Sequence, residues 1–276
     1  MNGCVLRTVR PIAVVLGLGL SLSAAGSVAG SAMAAELAPH RALYTLSLER
    51  NDSGSGVTGA SGTMAYELGE TCDAWPVEQR YRLKMGYSES PDVTIASSLE
   101  SSEAKNGLRY RFDHKETRAD EEEKAIGTAR LESEDKGGTV EFDDPSDKKI
   151  KLPPHVLFPT AHTAVLIDKA VSGEKFVSKQ IFDGGTPDAP VLVSAVIGAK
   201  VEPDPERAKK NPLLDRPGWR VRLAFFPPDQ KVEKPDYEIG MLLLDNGVSL
   251  DMVIDYGEYA IRAKLDDIEP LPKPKC

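Results

Sequence analysis

The sequence is poor in several residue types on which many protein functions depend. Its 276 residues include three cysteines, four histidines and two tryptophans. Acidic residues outnumber basic ones by 43 to 34, and the net charge of −9 argues against nucleic acid as a partner, because phosphate binding needs a basic surface. The same acidity disfavours electrostatic attachment to anionic lipid. Apolar residues make up 41% of the chain, so a hydrophobic core is available.

Motifs for catalysis, cofactors and metals are also missing. The Gly54–Gly59 segment matches the glycine pattern of dinucleotide sites, but it joins two predicted strands instead of a strand and a helix. Three Ser-x-x-Lys matches occur without the Lys-Thr-Gly that accompanies a penicillin-interacting serine. None of the histidines has zinc-site spacing: His40, His114, His155 and His162. We therefore predict no catalytic residue, no cofactor and no metal.

The N-terminal segment has the order of a secretory signal. A short basic region, Met1–Arg10, precedes the apolar run Ile12–Leu22, and small residues end in Ala32-Met33-Ala34. A membrane anchor is the alternative, but this run of 11 residues is shorter than the ~18–20 that a span needs. We predict a cleaved signal peptide over 1–34 and one exported domain over 35–276, with no later transmembrane segment.

Signal cleavage leaves two cysteines, Cys72 and Cys276. Exported proteins meet an oxidising compartment, and two cysteines permit only one intramolecular bridge. We therefore predict a disulfide that ties the C-terminus to a point near the start of the domain. Two unrelated thiols and an intermolecular bridge are the alternatives that the sequence leaves open.

Period-2 alternation of apolar and polar residues recurs along almost the whole chain. The clearest case runs from Trp75 to Tyr87, with Arg80, Arg82 and Lys84 on the opposite face. This pattern is typical of an antiparallel strand with one buried and one wet face. About a dozen such segments predict an all-β protein. A large antiparallel sheet must hide its edges, so we expect it to coil into a spiral or barrel-like shape.

Two segments break the alternation. The composition of Ala161–Ser172 predicts one short helix, with Thr160 as its N-cap and Gly173 just after its end. The charged, proline-rich segment Glu202–Asp215 is predicted to be a solvated loop, and it is the only candidate linker.

Two surfaces are candidates for binding. Arg80, Arg82 and Lys84 form a basic stripe, which Arg109 and Arg111 extend, and such a stripe can attract an anionic headgroup or an acidic partner. An ordinary solvated face paired with nearby acids is the favoured alternative. The concave side of a coiled sheet can hold an apolar ligand or a peptide. Seven aromatics are candidates for lining it, although core packing is the expected use of each: Trp75, Tyr81, Tyr110, Phe112, Trp219, Phe225 and Tyr259.

Several short motifs together resemble one family. They are Leu37-Ala38-Pro39-His40-Arg41-Ala42-x-Tyr44, Cys72-Asp73-x-Trp75-Pro76-x-x-Gln79-Arg80-Tyr81, Phe158-Pro159-Thr160-x-His162-Thr163, Phe182-Asp183-Gly184-Gly185, Asn246-Gly247-Val248-Ser249 and Ile254-Asp255-Tyr256-Gly257. In these motifs the chain resembles the EipB-type periplasmic cell envelope integrity family of alphaproteobacteria. The resemblance implies a spirally coiled sheet of many strands, an internal disulfide, and a role in maintaining the envelope under stress without established catalysis.

These observations lead to two functional hypotheses. The first is a periplasmic, non-catalytic binding or interaction module that supports envelope integrity through an envelope protein or a lipid. The second is a hydrolase acting on an envelope polymer such as peptidoglycan. A hydrolase needs a nucleophile or paired carboxylates near a cleft, and the sequence marks none with a base at defined spacing.

Overall fold

Strands dominate the computed structural model, which describes residues 35–228 and 234–276. The signal peptide predicted over 1–34 lies outside these residues. The strands are β1 (His40–Asn51), β2 (Val57–Leu68), β3 (Ala74–Tyr87), β4 (Val93–Ala104), β5 (Arg109–Arg118), β6 (Glu121–Ser133), β7 (Gly137–Asp144), β8 (Lys149–Leu152), β9 (Phe176–Ile181), β10 (Val191–Val201), β11 (Gly218–Phe226), β12 (Tyr237–Leu244), β13 (Ser249–Asp255) and β14 (Tyr259–Pro270). Helix α1 spans Pro159–Val171 and a single-turn helix α2 spans Pro205–Ala208, followed by a 3-10 turn over Pro212–Leu214.

All 14 strands form one sheet in the order β8-β7-β6-β5-β4-β3-β2-β1-β14-β13-β12-β11-β10-β9. Each strand pairs antiparallel with its neighbours, and every pair but one joins strands that are consecutive in the chain. The exception is β1 with β14, which pairs Ala42 with Ile268 and Leu46 with Ala263. The large antiparallel sheet predicted from the alternation is therefore confirmed.

The two edges of this sheet approach each other, so the sheet coils. After the edge strand β8, Leu157 bridges to Ile181 in the other edge strand, β9, with parallel pairing. Phe182, which follows β9, packs against Phe112 of β5 with ring centroids 5.4 Å apart. An overlapping edge covers backbone groups that would otherwise be open to pairing with another chain. The predicted barrel-like coil is thus present.

A buried aromatic cluster holds this overlap. Tyr110 lies 5.2 Å from Phe158 between ring centroids and 5.8 Å from Phe112, and its hydroxyl donates to the Asp183 carbonyl at 2.8 Å. Gly184 has a φ of +72°, and a Cβ there would meet Phe112 Cγ at 2.5 Å. Only glycine fits both the left-handed backbone and the close ring. This explains the Phe-Asp-Gly-Gly motif physically.

Helix α1 differs from the prediction at its start. It begins at Pro159 with Phe158 as N-cap, so Thr160 is inside the first turn and is not the cap. Proline suits the first helical position because its missing N–H has no helical partner there. At the other end Gly173 has a φ of +85° just after the C-cap Ser172, as the sequence predicts.

The segment Glu202–Asp215 is more ordered than the predicted solvated loop. Asp204 caps α2, and Asn211 caps the 3-10 turn while donating to the Ile268 carbonyl at 2.6 Å. Leu214 is buried against the core beside β14. The alternation pattern misses this segment because short capped turns carry no periodicity. All described residues belong to one compact unit.

The two remaining cysteines lie together. Cys72 and Cys276 have their Sγ atoms 2.08 Å apart and their Cα atoms 5.6 Å apart, across a separation of 204 residues. Cys72 precedes β3, and Cys276 follows the extended segment after β14. The bond thus joins the tail to the turn between β2 and β3.

Candidate functional site

The concave side of the coiled sheet forms a cavity of about 330 Å³, here called the central cavity. One wall comes from β1–β5 and α1, and it mixes apolar side chains with polar ones. We call it the mixed wall, and its polar members include His40, Tyr66, Gln79, Ser101 and His162. The facing wall comes from β11–β13 and is apolar apart from Ser249. We call it the apolar wall, and its members are Leu223, Ile239, Met241, Leu243, Met252 and Ile254.

The helix of the mixed wall is positioned by a buried acid. Glu103 of β4 is 3% exposed, and its carboxylate accepts from the backbone N–H groups of Thr160 and Ala161 at 2.7 and 2.8 Å. These are two of the N–H groups that the start of a helix leaves without partners, and the positive end of the helix dipole favours an acid there. Burial raises the pKa of Glu103 to about 7, although both hydrogen bonds act in the opposite direction.

His162 contributes to the mixed wall a buried polar atom without a hydrogen-bond partner in the described chain. It lies on the buried face of α1 at 7% exposure, and its Nε2 atom has no hydrogen-bond partner among the described residues. Burial, with a smaller contribution from the charge of Lys179, lowers the pKa of His162 to about 4. The imidazole is therefore neutral near pH 7, with one nitrogen able to donate and the other able to accept.

His40 is also buried in the mixed wall but is better satisfied. Its Nδ1 lies 2.7 Å from the Ala38 carbonyl, and its ring lies 5.7 Å from that of Tyr66. Burial lowers the pKa of His40, and the bond to Ala38 partly offsets that. Packing and a backbone hydrogen bond account for the burial of this histidine.

A second polar group occupies the inner face of β3–β5. The Ser97 hydroxyl lies 3.0 Å from His114 Nε2, and the Tyr81 hydroxyl donates to Glu116 at 2.7 Å. A serine beside a histidine is the start of a nucleophile–base arrangement. Among the described residues, no carboxylate hydrogen bonds to the other nitrogen of His114, so the orienting third group of a triad is missing.

The basic residues predicted to form one stripe lie in two groups on the exposed face. Arg80 pairs with Glu100 at 2.8 Å, and Lys84 pairs with Asp92 at 2.7 Å, so both are partly neutralised. The strand register places an acidic row between this group and the group Arg109 and Arg111: Glu78, Glu100 and Asp113. The continuous stripe expected from the alternation is therefore wrong, because register between strands decides which residues are neighbours. Arg82 is exposed and is absent from the ion pairs of the described chain.

The seven candidate aromatics serve packing more than cavity lining. Of these, Tyr110 reaches the central cavity, and its ring is already stacked in the aromatic cluster. Trp219 belongs to the buried core, and Trp75 has the Lys105 ammonium 4.9 Å from its ring centroid. Phe225 stacks on Tyr237 with centroids 4.4 Å apart. The cavity is lined mainly by methionines and aliphatic residues, together with polar side chains and the rings of Tyr44, Tyr66 and the two histidines His40 and His162.

A second, smaller cavity of about 250 Å³ lies beside α2. Its lining includes Arg207, Lys210 and Lys264 together with Asp251, Asp266 and Asp267. Arg207 Nε and Nη2 are buried without hydrogen-bond partners in the described chain, although Nε lies 3.9 Å from Asp204 Oδ2. The three carboxylates oppose anion binding here, so the central cavity is the better candidate site.

Sequence reasoning did not assign these roles to Glu103 and His162. The available indication was on β4, where three polar residues lie on the same strand face as the apolar residues Val93, Ile95 and Leu99. They are Ser97, Ser101 and Glu103. Polar side chains on a strand face that should be buried indicate either a network or a ligand. The contact between Glu103 and the helix start depends on folding and has no sequence spacing to reveal it.

The fold and the cavity define a class of protein: a single coiled antiparallel sheet, barrel-like, with an internal cavity that one helix helps to line. The model of the EipB-like family matches residues 31–272, and the chain belongs to that family. The cell envelope integrity protein EipB of Brucella abortus (strain 2308) is 32% identical over 267 residues, with 94% of each chain covered. A crystal structure of a β-barrel-like protein of unknown function from Brucella abortus is similar with a TM-score of 0.79 and 31% identity, covering 87% of this chain and 100% of that one. The resemblance noted in the short motifs is thereby confirmed.

Membership of this family supports a role in cell envelope integrity. Across residues 35–228 and 234–276, no helix has the length and apolar character needed to cross a membrane.

Proposed function

We propose that this chain is exported to the periplasm and acts there as a non-catalytic binding protein, with an amphipathic envelope lipid as the ligand of its central cavity. The observation that carries this proposal is the pairing of a mixed wall with an apolar wall around one cavity. An amphipathic molecule presents the same two kinds of surface. Lipid binding is a direct way to support the integrity of an envelope made of lipids.

The size and lining of the central cavity support a small ligand. Sites for small molecules are commonly about 300–1,000 Å³, mostly apolar, with a few polar groups that fix orientation. The volume of about 330 Å³ lies at the lower end of that range. The methionines Met241 and Met252 suit this role because their flexible side chains adapt to irregular apolar partners.

A cavity-filling variant tests the proposal. We expect Met241→Trp to reduce the lipid that co-purifies with the periplasmic protein, measured by mass spectrometry of extracted lipids. Val196→Trp is the matched control, because Val196 is 57% exposed and lies away from the cavity. Thermal unfolding identifies variants that fail to fold. Lipid recovery equal in the wild type, Met241→Trp and a mock purification contradicts the proposal.

Export is tested separately. N-terminal sequencing of the protein from a periplasmic fraction is expected to begin at Ala35. Recovery of the chain in the membrane fraction with residues 1–34 attached contradicts the periplasmic assignment.

The second candidate function is hydrolysis of an envelope polymer, and the contact between Ser97 and His114 is the observation in its favour. We expect purified protein to release no product from murein or a lipid ester above a heat-inactivated control. Turnover that disappears in Ser97→Ala would establish the hydrolase and defeat the non-catalytic proposal.

A further inference from the structure

The lining of the central cavity carries no formal charge near neutral pH. Among the described residues that form it, none is aspartate, glutamate, lysine or arginine. Its two histidines, His40 and His162, are buried, and burial lowers the pKa of each, so both imidazoles are neutral at pH 7. A charged group of a ligand therefore finds no opposite charge in this lining.

A buried acid behind the lining further opposes an anion. The Glu103 carboxylate accepts from the backbone N–H of Thr160, which lines the cavity, and from that of Ala161. These bonds occupy donors at the start of α1 that could otherwise bind an anion. A cation gains no direct contact with this acid, because Glu103 is 3% exposed and is not part of the lining.

The polar side chains of the lining instead provide neutral hydrogen-bonding groups. The hydroxyl of Tyr44 already donates to the Ser249 carbonyl at 3.0 Å. His162 Nε2, in contrast, is buried without a partner among the described residues, and Gln79 of β3 carries an amide with donors and an acceptor. A buried polar atom without a partner is costly, so a ligand group that hydrogen bonds to Nε2 would be favoured there.

A hydroxyl is the group that suits His162 best. In a neutral imidazole one ring nitrogen donates and the other accepts, so Nε2 plays one of these two roles. A hydroxyl both donates and accepts, and it can therefore bond to Nε2 in either tautomer. A carboxylate only accepts, and it also brings a charge that the lining does not balance.

We propose that the central cavity selects a neutral lipid with one acyl chain and a hydroxyl-bearing head group, of the monoacylglycerol type. This inference rests on the proposed function and names its ligand class. A head-group hydroxyl bonds to His162 Nε2, and the acyl chain lies along the apolar wall beside Leu223 and Met241. One acyl chain suits a volume of about 330 Å³ better than two.

The first experiment compares 1-monododecanoylglycerol with dodecanoate and dodecylammonium on the delipidated mature protein at pH 7.5. Displacement of a fluorescent apolar probe measures binding. Burying a charge without a partner is costly, so we expect the monoacylglycerol to bind at least roughly tenfold more tightly than either ion. Equal binding of the three, or tighter binding of an ion, overturns this inference and leaves the proposed function standing. Failure of all three to displace the probe overturns both.

A charge placed in the cavity should change this preference. Gln79→Lys adds a positive charge to the mixed wall, so we expect dodecanoate to bind this variant at least roughly tenfold more tightly than the wild type. Glu78→Gln is the matched control, because it raises the net charge by the same amount at the neighbouring exposed position of β3. It is expected to leave dodecanoate binding unchanged. An equal gain in both variants contradicts a head group inside the cavity.

The role of His162 is tested with a second pair of variants. We expect 1-monododecanoylglycerol to bind His162→Leu roughly threefold or more weakly than the wild type, and methyl dodecanoate, which has no hydroxyl, to bind both equally. His155→Asn removes an exposed histidine before α1 and is expected to keep both affinities. Equal losses for the two ligands contradict the bond to Nε2. Should thermal unfolding show that His162→Leu does not fold, the wild-type comparison and Gln79→Lys still decide the question.

Discussion

The two walls of the central cavity come from different halves of the sheet, and they differ in side-chain polarity and in how they contribute to stability. Strands β1–β5 contribute histidine, glutamine, serine and tyrosine side chains to the interior, whereas β11–β13 contribute leucine, isoleucine and methionine. The apolar half gains stability directly from burying its side chains. The first half must supply hydrogen-bond partners for each polar group that it buries.

The polar groups of the mixed wall differ in whether they have hydrogen-bond partners. The Glu103 carboxylate and the Ser97–His114 contact satisfy much of the polar interior, yet His162 Nε2 has no partner in the described chain. A protein built only for stability gains more from an apolar residue at such a position. We infer that the apolar half provides the scaffold and that the polar half provides recognition.

The largest expected effect comes from removing the disulfide that ties the C-terminal tail to the half formed by β1–β5. Cys72→Ser removes the bond between the tail that follows β14 and the turn that precedes β3. A loop of 204 residues corresponds to a loss of up to about 5 kcal/mol in the free energy of unfolding. Urea unfolding of the wild type and Cys72→Ser measures it.

Non-reducing peptide mapping checks the bond itself in the periplasmic protein. Two alkylatable thiols in the native mature chain would contradict the pairing. Equal urea midpoints for the wild type with and without reductant would contradict its contribution to stability.

The next effect compares one residue from each wall. Leu223 of the apolar wall is 6% exposed, and Leu223→Ala is expected to cost about 2–5 kcal/mol because it removes buried methyl groups and enlarges the cavity. Gln79→Ala in the mixed wall is expected to cost less than about 1 kcal/mol, because it removes a polar group that faces the cavity. Chemical denaturation measures both, and equal costs would contradict the division between the walls.

The pH dependence of stability sharpens the comparison within the mixed wall. The pKa of Glu103 is raised from 4.5 to about 7, so the folded state holds this proton more tightly than the unfolded state. Its contribution to stability therefore falls as pH rises from about 4.5 to 7, by at most about 1.4 kcal/mol per pH unit. The pKa of His162 is lowered from 6.5 to about 4, so its contribution is lost as pH falls through that range.

Single variants separate these opposing contributions. Relative to the wild type, Glu103→Gln is expected to show a free energy of unfolding that rises more steeply with pH between 5 and 7. His162→Leu, compared with the wild type, is expected to be relatively more stable at pH 5 than at pH 7.5, because it lacks the histidine whose contribution is lost as pH falls. Parallel curves for the wild type and Glu103→Gln would contradict the raised pKa of Glu103.

The smallest expected effect lies outside both walls, on the exposed basic residues. Arg82→Glu combined with Arg111→Glu is expected to change the free energy of unfolding by less than about 0.5 kcal/mol per substitution, because both side chains are exposed. Survival of envelope stress is expected to match the wild type, because these residues belong to an ordinary solvated strand face. A survival defect in the folded double variant would indicate that this exposed face binds a partner.

The sheet was predictable from sequence because each strand carries its own alternation, as from Trp75 to Tyr87. The helix was predictable from Phe158 to Gly173 because proline and glycine mark its ends, although its cap was assigned to the wrong residue. The pairing of β1 with β14 was not predictable, since no local sequence pattern indicates that these two strands are neighbours. For the same reason the stripe joined residues that the register separates with Glu100 and Asp113.

The candidate site was accessible only in part. The concave inner face followed from a coiled sheet, but the aromatics proposed to line it pack mostly elsewhere. His162 stood out in a motif, yet its unsatisfied nitrogen depends on what surrounds it after folding. The role of Glu103 was not predictable, because one glutamate in an acidic chain is not distinctive until its partners are known.

The position of β1 beside β14 has a consequence for how the chain is assembled. Reading from β9 to β14 and then from β1 to β8 gives an uninterrupted meander, so the natural chain is a circular permutation of a simpler up-and-down arrangement. A chain delivered N-terminus first presents β1 with one side open until β14 emerges, and such an edge invites pairing with other molecules. The disulfide between Cys72 and Cys276 can form only after β14 has been delivered. The disulfide therefore stabilises only chains in which the pairing of β1 with β14 is possible.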